Sequence, residues 1–206
     1  MVFSSAVFLF MFLPITLVLY YLLKEEYRNY LLLLASIIFF AWSQPDYVWI
    51  ILLNIAVNYT AANLMVYAKT KKIVLIICLT MNLGLLFYFK YFDFLLDSIN
   101  SFFDSSFNLV GIILPIGISF FTFQGMSYAI DVYSGKAVAQ KNPFKVALYI
   151  ALFPQLIAGP ILRYTDVAKE IDSRVTKMDD FAYGIHRFII GLGKKAIIAN
   201  TMAGVV

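Results

Sequence analysis

Long apolar runs dominate the sequence, and several are long enough to cross a lipid bilayer as helices. Such a crossing takes about 20 mainly apolar residues. Of the 206 residues, 62% are apolar or aromatic and 14% are charged, whereas an ordinary soluble domain has about 45–50% and about 25%. The composition therefore excludes a water-soluble globule. It predicts an all-α fold, a polytopic bundle of transmembrane helices.

Five of the runs predict membrane-spanning helices. The first carries no charge, follows no basic residue and precedes no Ala-x-Ala cleavage site, so we interpret it as a retained span rather than a signal peptide. The second is short and suffices for a thin or tilted crossing. The predicted spans are Ala6–Leu23, Tyr30–Trp42, Tyr47–Tyr67, Ile73–Phe92 and Leu109–Tyr133.

The charges of the connecting loops alternate along the chain. The first, third and fifth loops contain Lys or Arg, whereas Ser43–Asp46 and Asp93–Asn108 contain none. By the positive-inside rule, the basic loops face the cytoplasm and the amino terminus lies outside. The basic side chains then face an anionic leaflet, which excludes a nucleic-acid partner. These side chains belong to Lys24, Arg28, Lys69, Lys71, Lys72, Lys136, Lys141 and Lys145.

The apolar stretch Val146–Leu162 departs from this pattern. Pro154 and the pair Gly159-Pro160 interrupt it, and basic loops lie on both sides. A re-entrant hairpin or broken helix places both ends of this stretch on the cytoplasmic side. Its irregular backbone is tolerated in a membrane if it is buried in protein or lines a watery cavity. We favour this interpretation over a single kinked crossing.

The remaining sequence predicts three further segments. Arg163–Asp180 mixes both charge signs and should lie in the cytoplasm or at its interface. Phe181–Gly193 predicts an interfacial or cavity-lining helix that ends at Lys194-Lys195. Ala196–Val206 is apolar and predicts the beginning of another crossing.

Polar side chains inside the fifth span share one helical stripe. Gln124, Tyr128 and Asp131 lie on it with Gly117, and Ser127 lies beside it. Buried polar groups in membranes face a bundle interior or a cavity, so the stripe predicts either the wall of a substrate tunnel or helix packing. We favour packing for Gly117 and Ser127, and leave both readings open for Gln124 and Asp131.

Asparagines in the third and fourth spans favour a packing role. Asn54 and Asn58 are four residues apart and share a face with Ala61 and Met65. Amide and small residues cement neighbouring membrane helices. We give Asn82 and Gly84 the same interpretation.

Four cations near the predicted inner face are candidates for binding an anion: Arg163, Arg187, Lys194 and Lys195. Guanidinium and ammonium groups bind phosphate or pyrophosphate through charge-assisted hydrogen bonds. The alternative is ordinary positive-inside bias with lipid headgroups. His186, the single histidine, predicts an interfacial or packed imidazole. Neither a metal-ligand spacing nor a soluble-enzyme motif is present, so the residues alone leave a transporter and an intramembrane transferase open.

Three motifs follow one another in the second half of the sequence. The first runs from Leu114 to Gln124 and on through Tyr128–Tyr133, the second is Tyr149–Tyr164, and the third is Gly184–Ala199. Together they resemble the bacterial membrane-bound O-acyltransferases (MBOAT), in the branch of alginate O-acetyltransferases and teichoic-acid D-alanyl transfer proteins. Ala41-Trp42 and Asp46-Tyr47 are similar to the family's amino-terminal region. The resemblance extends along nearly the whole chain.

The resemblance implies a ring-shaped helical bundle with re-entrant helices and a tunnel between the membrane faces. It implies that a cytoplasmic thioester, acetyl-CoA or an acyl carrier protein, donates an acyl group to an extracytoplasmic polysaccharide such as alginate, or to an acyl-relay protein. Arg163, Arg187, Lys194 and Lys195 would guide the donor, and Gln124, Tyr128, Asp131 and Gln155 would line the tunnel. No bound cofactor or metal is expected, and the location implied is the bacterial cytoplasmic membrane.

The resemblance also implies a departure from the family. Its catalytic histidine lies in the carboxy-terminal half, whereas His186 lies in a different motif. Residues 1–206 are thus expected to form a single membrane domain, the amino-terminal half of an MBOAT fold, inactive alone because the histidine lies beyond Val206. A transporter or flippase and a non-catalytic membrane scaffold are the alternatives.

Overall fold

The protein is all-helical, as predicted. A computed structural model describes residues 5–103, 107–156, 159–174 and 177–203, and these contain no β-strand. The helices are α1 (Leu13–Leu22), α2 (Glu25–Ser43), α3 (Val48–Tyr67), α4 (Lys71–Phe103), α5 (Ile118–Tyr133), α6 (Pro143–Ala151), α7 (Phe153–Leu156), α8 (Tyr164–Asp172), α9 (Met178–Gly193) and α10 (Asn200–Ala203).

The first three predicted spans are helices in the structure. A π-helical turn, Phe8–Phe12, leads directly into α1. The second helix is longer than predicted because it begins at Glu25, where Glu25 and Glu26 place negative charge at its positive end. Its 19 residues extend about 28 Å, close to the thickness of a bilayer core.

The fourth helix continues well beyond the predicted end at Phe92. It runs to Phe103 and so includes most of Asp93–Asn108, which the aspartates predicted to be a loop. Asp93 and Asp97 lie one helical turn apart and project from one side, so their charges do not interrupt the helix. Gly84 is exposed with no atom near its missing Cβ, so its predicted packing role is wrong.

The fifth helix is shorter than predicted, because residues 109–117 are not helical. Asp93 accepts hydrogen bonds from the backbone amides of Val110 at 3.0 Å and Ile112 at 2.7 Å. Gly117 precedes the helix with φ 77°, a conformation that favours glycine. Side-chain acceptors and this left-handed residue thus replace the helical hydrogen bonds that apolar composition alone predicts.

The contacts between loops sort them onto two ends of the bundle. At one end, Asn29 donates to the carbonyl of Ile171 at 2.8 Å, and Tyr59 donates to that of Lys141 at 2.8 Å. At the other end, Gln44 accepts from the amide of Ile116 at 2.7 Å. The first and fifth predicted loops therefore lie together, since Lys145 of the fifth loop pairs with Asp172 beside Ile171, and Ser43–Asp46 lies with the segment that follows α4.

Two helices in the described ranges are long and apolar enough to span a membrane by length and composition. They are Pro45–Tyr67 and Lys71–Phe103; Phe8–Leu22 is a shorter apolar helix. The 16 residues of α5 extend about 24 Å, less than the ~30 Å core. The count of five crossings therefore stays a prediction.

The carboxy-terminal helix does not end at Lys194-Lys195 as predicted. Lys194 keeps helical dihedrals and its amide bonds back to Ile190 and Gly191. A π-helical segment, Lys194–Ala199, then joins α9 to α10. A widened turn continues the helix where the paired charges indicated a break. Val206 lies outside the described residues.

The core places α5 between two layers. On one side α5 packs against α3 and α4, and on the other it contacts α6, α7 and α8. α2 packs against α6 and α7 and closes the second layer. This arrangement makes α5 the support on which the interrupted stretch rests.

Candidate functional site

The interrupted stretch is a hairpin. α6 ends at Ala151, α7 follows the break at Leu152, and α8 begins at Tyr164. The Tyr149 hydroxyl donates to the carbonyl of Leu162 at 2.7 Å and closes the hairpin. Lys145 pairs with Asp172 at 2.5 Å, so the outer ends of both arms lie together. The predicted chain reversal is confirmed; its depth in a membrane stays a prediction.

A serine on α2 supports the helix break, and the sequence analysis missed it. Ser36 is fully buried; its hydroxyl donates to the Leu32 carbonyl at 2.7 Å and accepts from the Phe153 amide at 3.1 Å. A broken helix frees backbone amides that must find partners inside a membrane protein. Ser36 provides such a partner for the Phe153 amide. The sequence feature that could have indicated this role is a single hydroxyl within an apolar helix.

Two of the predicted tunnel residues meet at the tip of the hairpin. Gln124 is 4% exposed, and its amide donates to the Gln155 side-chain oxygen at 3.2 Å and to the Tyr149 carbonyl at 3.3 Å. The contact joins α5 to the irregular backbone after α6. These two amides therefore form a polar point at the inner end of the hairpin.

Tyr128 lies instead within an aromatic cluster at the base of the hairpin. Its ring centre is 4.8 Å from that of Tyr164 and 6.4 Å from that of Tyr149. Its hydroxyl accepts from the Gln140 amide at 2.9 Å, and the Gln140 side chain donates to the Tyr164 hydroxyl at 3.2 Å. Burial raises the pKa of Tyr164, and this hydrogen bond opposes the rise. The cluster fixes both arms to α5.

Asp131, the third residue of the stripe, is buried at the end of α5. It is 5% exposed, and its carboxylate Oδ2 has no hydrogen-bond partner in the described part of the chain. Its backbone carbonyl accepts from the amides of Lys136 and Ala137 and so forms the turn after α5. An unpaired buried oxygen is costly, which distinguishes Asp131 from ordinary packing residues.

The four predicted donor-binding cations lie on two separate elements. Arg163 is exposed at the beginning of α8, which packs against α5 and α6. Arg187 is exposed on α9 with its guanidinium 5.7 Å from the Tyr183 ring centre. Lys194 is exposed, whereas Lys195 is half-buried. α9 continues directly into the π-helical segment, and in the described residues neither makes an extensive contact with α8, so Arg163 lies apart from the other three cations. His186 is also exposed on α9.

Two adjoining cavities lead from the basic end of the bundle into the hairpin. The outer one, about 350 Å³, is polar and carries both charge signs, since the basic Arg28 and Lys145 line it together with the acidic Glu25, Glu26 and Asp172. The inner one, about 290 Å³, is mainly apolar and reaches Gln155 between α2, α6 and α8. Ile171 and Arg174 line both cavities.

Arg174 forms the wall that the two cavities share, and the sequence analysis assigned it no role. Its side chain donates to the Glu170 carbonyl at 2.9 Å and to the side-chain oxygen of Asn29. Its guanidinium lies 5.9 Å from the Tyr20 ring centre, and that of Arg28 lies 5.0 Å from the same ring. Its position in a mixed-charge segment gave no signal, because the contact with α2 is 145 residues away in sequence.

The described residues contain no group of His, Cys, Asp or Glu side chains able to hold a metal ion. At the tip and base of the hairpin, the polar groups described above are the amides of Gln124 and Gln155, the tyrosine hydroxyls and the Asp131 carboxylate. These groups donate and accept hydrogen bonds to a neutral ester or hydroxyl.

Comparison with known proteins connects this architecture to a chemistry. The chain is 44% identical over 98% of its length to the protein named "Probable alginate O-acetylase AlgI" of Pseudomonas syringae pv. tomato, and 45% identical over 98% to that of Pseudomonas aeruginosa. It is 32% identical over 98% to the peptidoglycan O-acetyltransferase of Helicobacter pylori. The resemblance to the membrane-bound O-acyltransferases is confirmed.

The match to these acyltransferases covers less than half of each of them. The chain spans 41% of both alginate relatives and 45% of the peptidoglycan relative. No family model and no solved structure matches the chain.

Proposed function

We propose that the chain functions in an O-acyltransferase that acetylates an extracytoplasmic polysaccharide from a cytoplasmic thioester. The observation that carries this proposal is the 44–45% identity to alginate O-acetylases along 98% of the chain. The acceptor is a hydroxyl of alginate or of a cell-wall polymer, or a relay protein that passes the acyl group to one. The similarity to a peptidoglycan O-acetyltransferase supports a polymer acceptor.

The two adjoining cavities provide a route for the donor. Acetyl-CoA and acyl carrier proteins both present their acyl group on a long, uncharged arm that follows a phosphate group. In the polar outer cavity of about 350 Å³, Arg28 and Arg174 are the cations that a phosphate would contact, beside the acidic residues of the same lining. The mainly apolar inner cavity of about 290 Å³ suits the arm. Arg174 lies where the two meet. Arg163, Arg187, Lys194 and Lys195 attract the donor's phosphates from the surrounding surface.

The amides at the hairpin tip orient the thioester. Both N–H groups of the Gln124 amide already donate, to the Gln155 side-chain oxygen at 3.2 Å and to the Tyr149 carbonyl at 3.3 Å. They hold Gln155 at the end of the inner cavity, where its own Nε2 group can donate to the thioester carbonyl oxygen. In the reaction, the acceptor oxygen bonds to the thioester carbon and the carbon–sulfur bond breaks. The hydroxyl proton passes to a general base and then to the departing thiolate. The family resemblance implies a histidine as that base, and His186, which lies in a different motif, is not assigned this role.

We infer that the chain lies in the bacterial cytoplasmic membrane with its amino terminus outside. The support is that two of the basic loops, the first and the fifth, meet at one end of the bundle through the contacts Asn29–Ile171 and Lys145–Asp172. A cysteine introduced at Ala68, beside the third basic loop, should react with a membrane-impermeant maleimide only after the cells are opened. Reaction in intact cells would contradict this orientation.

Expression of the complete reading frame in an alginate-producing strain that lacks its own O-acetylase tests the function. We expect acetyl esters to return to the secreted alginate, measured by proton NMR. Gln155→Leu should remove most of this activity, whereas Gln140→Leu, a change outside the hairpin tip, should lower it less. Polymer without acetyl groups, despite normal protein in the membrane, would refute the proposal in favour of a scaffold or a transporter.

A further inference from the structure

Three asparagines form a closed hydrogen-bond cluster between α3 and α4. Asn54 donates to the side-chain oxygen of Asn82 at 2.7 Å, and Asn58 donates to the same oxygen at 3.1 Å. Asn82 donates back to the Asn58 oxygen at 3.2 Å. All three are at most 2% exposed. The predicted packing role of these amides is confirmed, and we call the three residues the amide cluster.

Gly125 on α5 rests directly against the amide cluster. A Cβ atom at this position would lie 2.3 Å from Nδ2 of Asn58 and 2.8 Å from Oδ1 of Asn54. Real Cβ atoms essentially never approach other atoms this closely. Because the Asn58 amide is held by its own hydrogen bonds, it cannot move aside without breaking them. Only glycine therefore allows α5 to approach α3 as it does.

The neighbouring residue on α5 shows what this contact achieves. Gln124 precedes Gly125 and projects about 100° away around the helix, toward Gln155 at the hairpin tip. A helix rotation of about 20° would move a side-chain amide by roughly 2 Å, given a helix radius with side chains of about 5–6 Å. That shift exceeds the range of a hydrogen bond. The contact of Gly125 with the amide cluster therefore fixes the rotation of α5, and this rotation sets the contact between Gln124 and Gln155.

We propose that Gly125 and the amide cluster form a positioning device that sets the rotation of α5, and thereby holds Gln124 against Gln155. Gly125 is a positioning residue rather than a catalytic one, because it touches the cluster and not the cavity. The inference relies on the proposed function only where acetylation is the readout. Its structural part concerns a side-chain contact that is measured without any substrate.

Cross-linking of cysteines at positions 124 and 155 tests the device in the complete protein. The pair Gln124→Cys and Gln155→Cys should be bridged by a short bifunctional thiol reagent, whose spacer replaces the length lost with the two amides, while Cys78, 1% exposed, reacts slowly. Gly125→Ala should lower the cross-linking rate roughly tenfold, since overpacking a filled core displaces backbone. A second pair, Lys145→Cys with Asp172→Cys, reports on the hairpin arms without involving α5 and should be unaffected.

Gly84→Ala is the matched control. Gly84 lies on α4 with nothing within 4 Å of its missing Cβ, so the same added methyl group should leave both cross-linking rates unchanged. Equal rates in Gly125→Ala and Gly84→Ala would overturn the proposal.

A second substitution tests whether the clash is the cause. Asn58→Ala removes the atom that a Cβ at position 125 would meet at 2.3 Å. The double variant Gly125→Ala with Asn58→Ala should therefore cross-link faster than Gly125→Ala alone, with incomplete recovery because Oδ1 of Asn54 still lies 2.8 Å from the added Cβ. A double variant as slow as Gly125→Ala would refute the mechanism. If Gly125→Ala does not accumulate in membranes, protein level is compared instead, and failure of Asn58→Ala to restore it refutes the mechanism equally.

Acetylation separates this inference from the proposed function. We expect Gly125→Ala to reduce polymer acetylation together with cross-linking, while Gly84→Ala retains both. Normal acetylation despite lost cross-linking would overturn the positioning role. If the protein without substitutions acetylates no polymer, the proposed function is refuted. The cross-linking comparison would still decide whether Gly125 sets the rotation of α5.

Discussion

Replacing Tyr149 with phenylalanine removes the hydrogen bond that closes the hairpin while keeping the aromatic ring. The hydroxyl donates to the Leu162 carbonyl at 2.7 Å across 13 residues of chain. The ring also contacts that of Tyr164 at 5.2 Å, and this contact remains in the variant. Tyr149→Phe thus removes this hydrogen bond between the two arms, together with the hydroxyl's hydrogen bond with Ser127 of α5.

The expected loss of hairpin stability follows from the hydrogen bond between Tyr149 and Leu162. A net hydrogen bond contributes about 0.5–1.5 kcal/mol in a folded protein, and pairs within membrane bundles average about 0.6. A loss of about 0.6–1.5 kcal/mol raises the equilibrium constant for local opening roughly threefold to thirteenfold. Since the Lys145–Asp172 pair still joins the outer ends of the arms, the effect should be confined to the inner part of the hairpin.

Hydrogen–deuterium exchange in lipid nanodiscs measures this opening. We expect the Gly159 amide, which donates to the Gln155 carbonyl at 3.1 Å, to exchange roughly threefold to thirteenfold faster in Tyr149→Phe. Tyr67→Phe is the control, because the Tyr67 side chain is 84% exposed. Unchanged exchange at Gly159 would refute the closing role of Tyr149. Equal acceleration in α3 and α4 would show a global loss of stability instead.

Three further changes have defined outcomes. Arg163→Ala in the complete protein should raise the apparent KM for the thioester donor severalfold with kcat unchanged; unchanged acetylation at limiting donor contradicts its role. Asn82→Ala leaves two buried amides without their partner and should destabilise the bundle by about 1–3 kcal/mol in thermal melting, more than Asn63→Ala does. Burial raises the pKa of Tyr164 above its ordinary 10.0. The neutral phenol therefore stabilises the fold below pH 10.0, and this stability is lost as the pH rises through the raised pKa. Tyr164→Phe should therefore lose less stability than the unchanged protein above pH ~10, measured by melting in alkaline buffers.

Local chemistry determined the helices and the hairpin in advance. Apolar runs and loop charges placed α1 to α3 and sorted the loops onto two ends, because membrane thickness and headgroup charge act on composition alone. Pro154 and Gly159-Pro160 indicated the chain reversal because such residues end helices wherever they lie. The polar stripe also identified Gln124, although the stripe alone did not distinguish its contact with Gln155 from packing.

Errors occurred where distant side chains replaced local hydrogen bonds. The extended segment before α5 depends on Asp93 of α4, which accepts the amides of Val110 and Ile112. Apolar composition carries no information about such an acceptor. The continuation of α4 to Phe103 was missed for a related reason, since the aspartates that indicated a loop are also compatible with an exposed helix face.

The sequence by itself therefore determined that this protein is a helical membrane bundle with a hairpin, and which acyltransferases it resembles. Only the tertiary structure decided which polar residues meet. It placed Gln124 on Gln155, Ser36 under the helix break and Gly125 on the amide cluster. Periodicity specifies the face on which a residue lies, whereas the partner of that face depends on how helices far apart in the chain pack together.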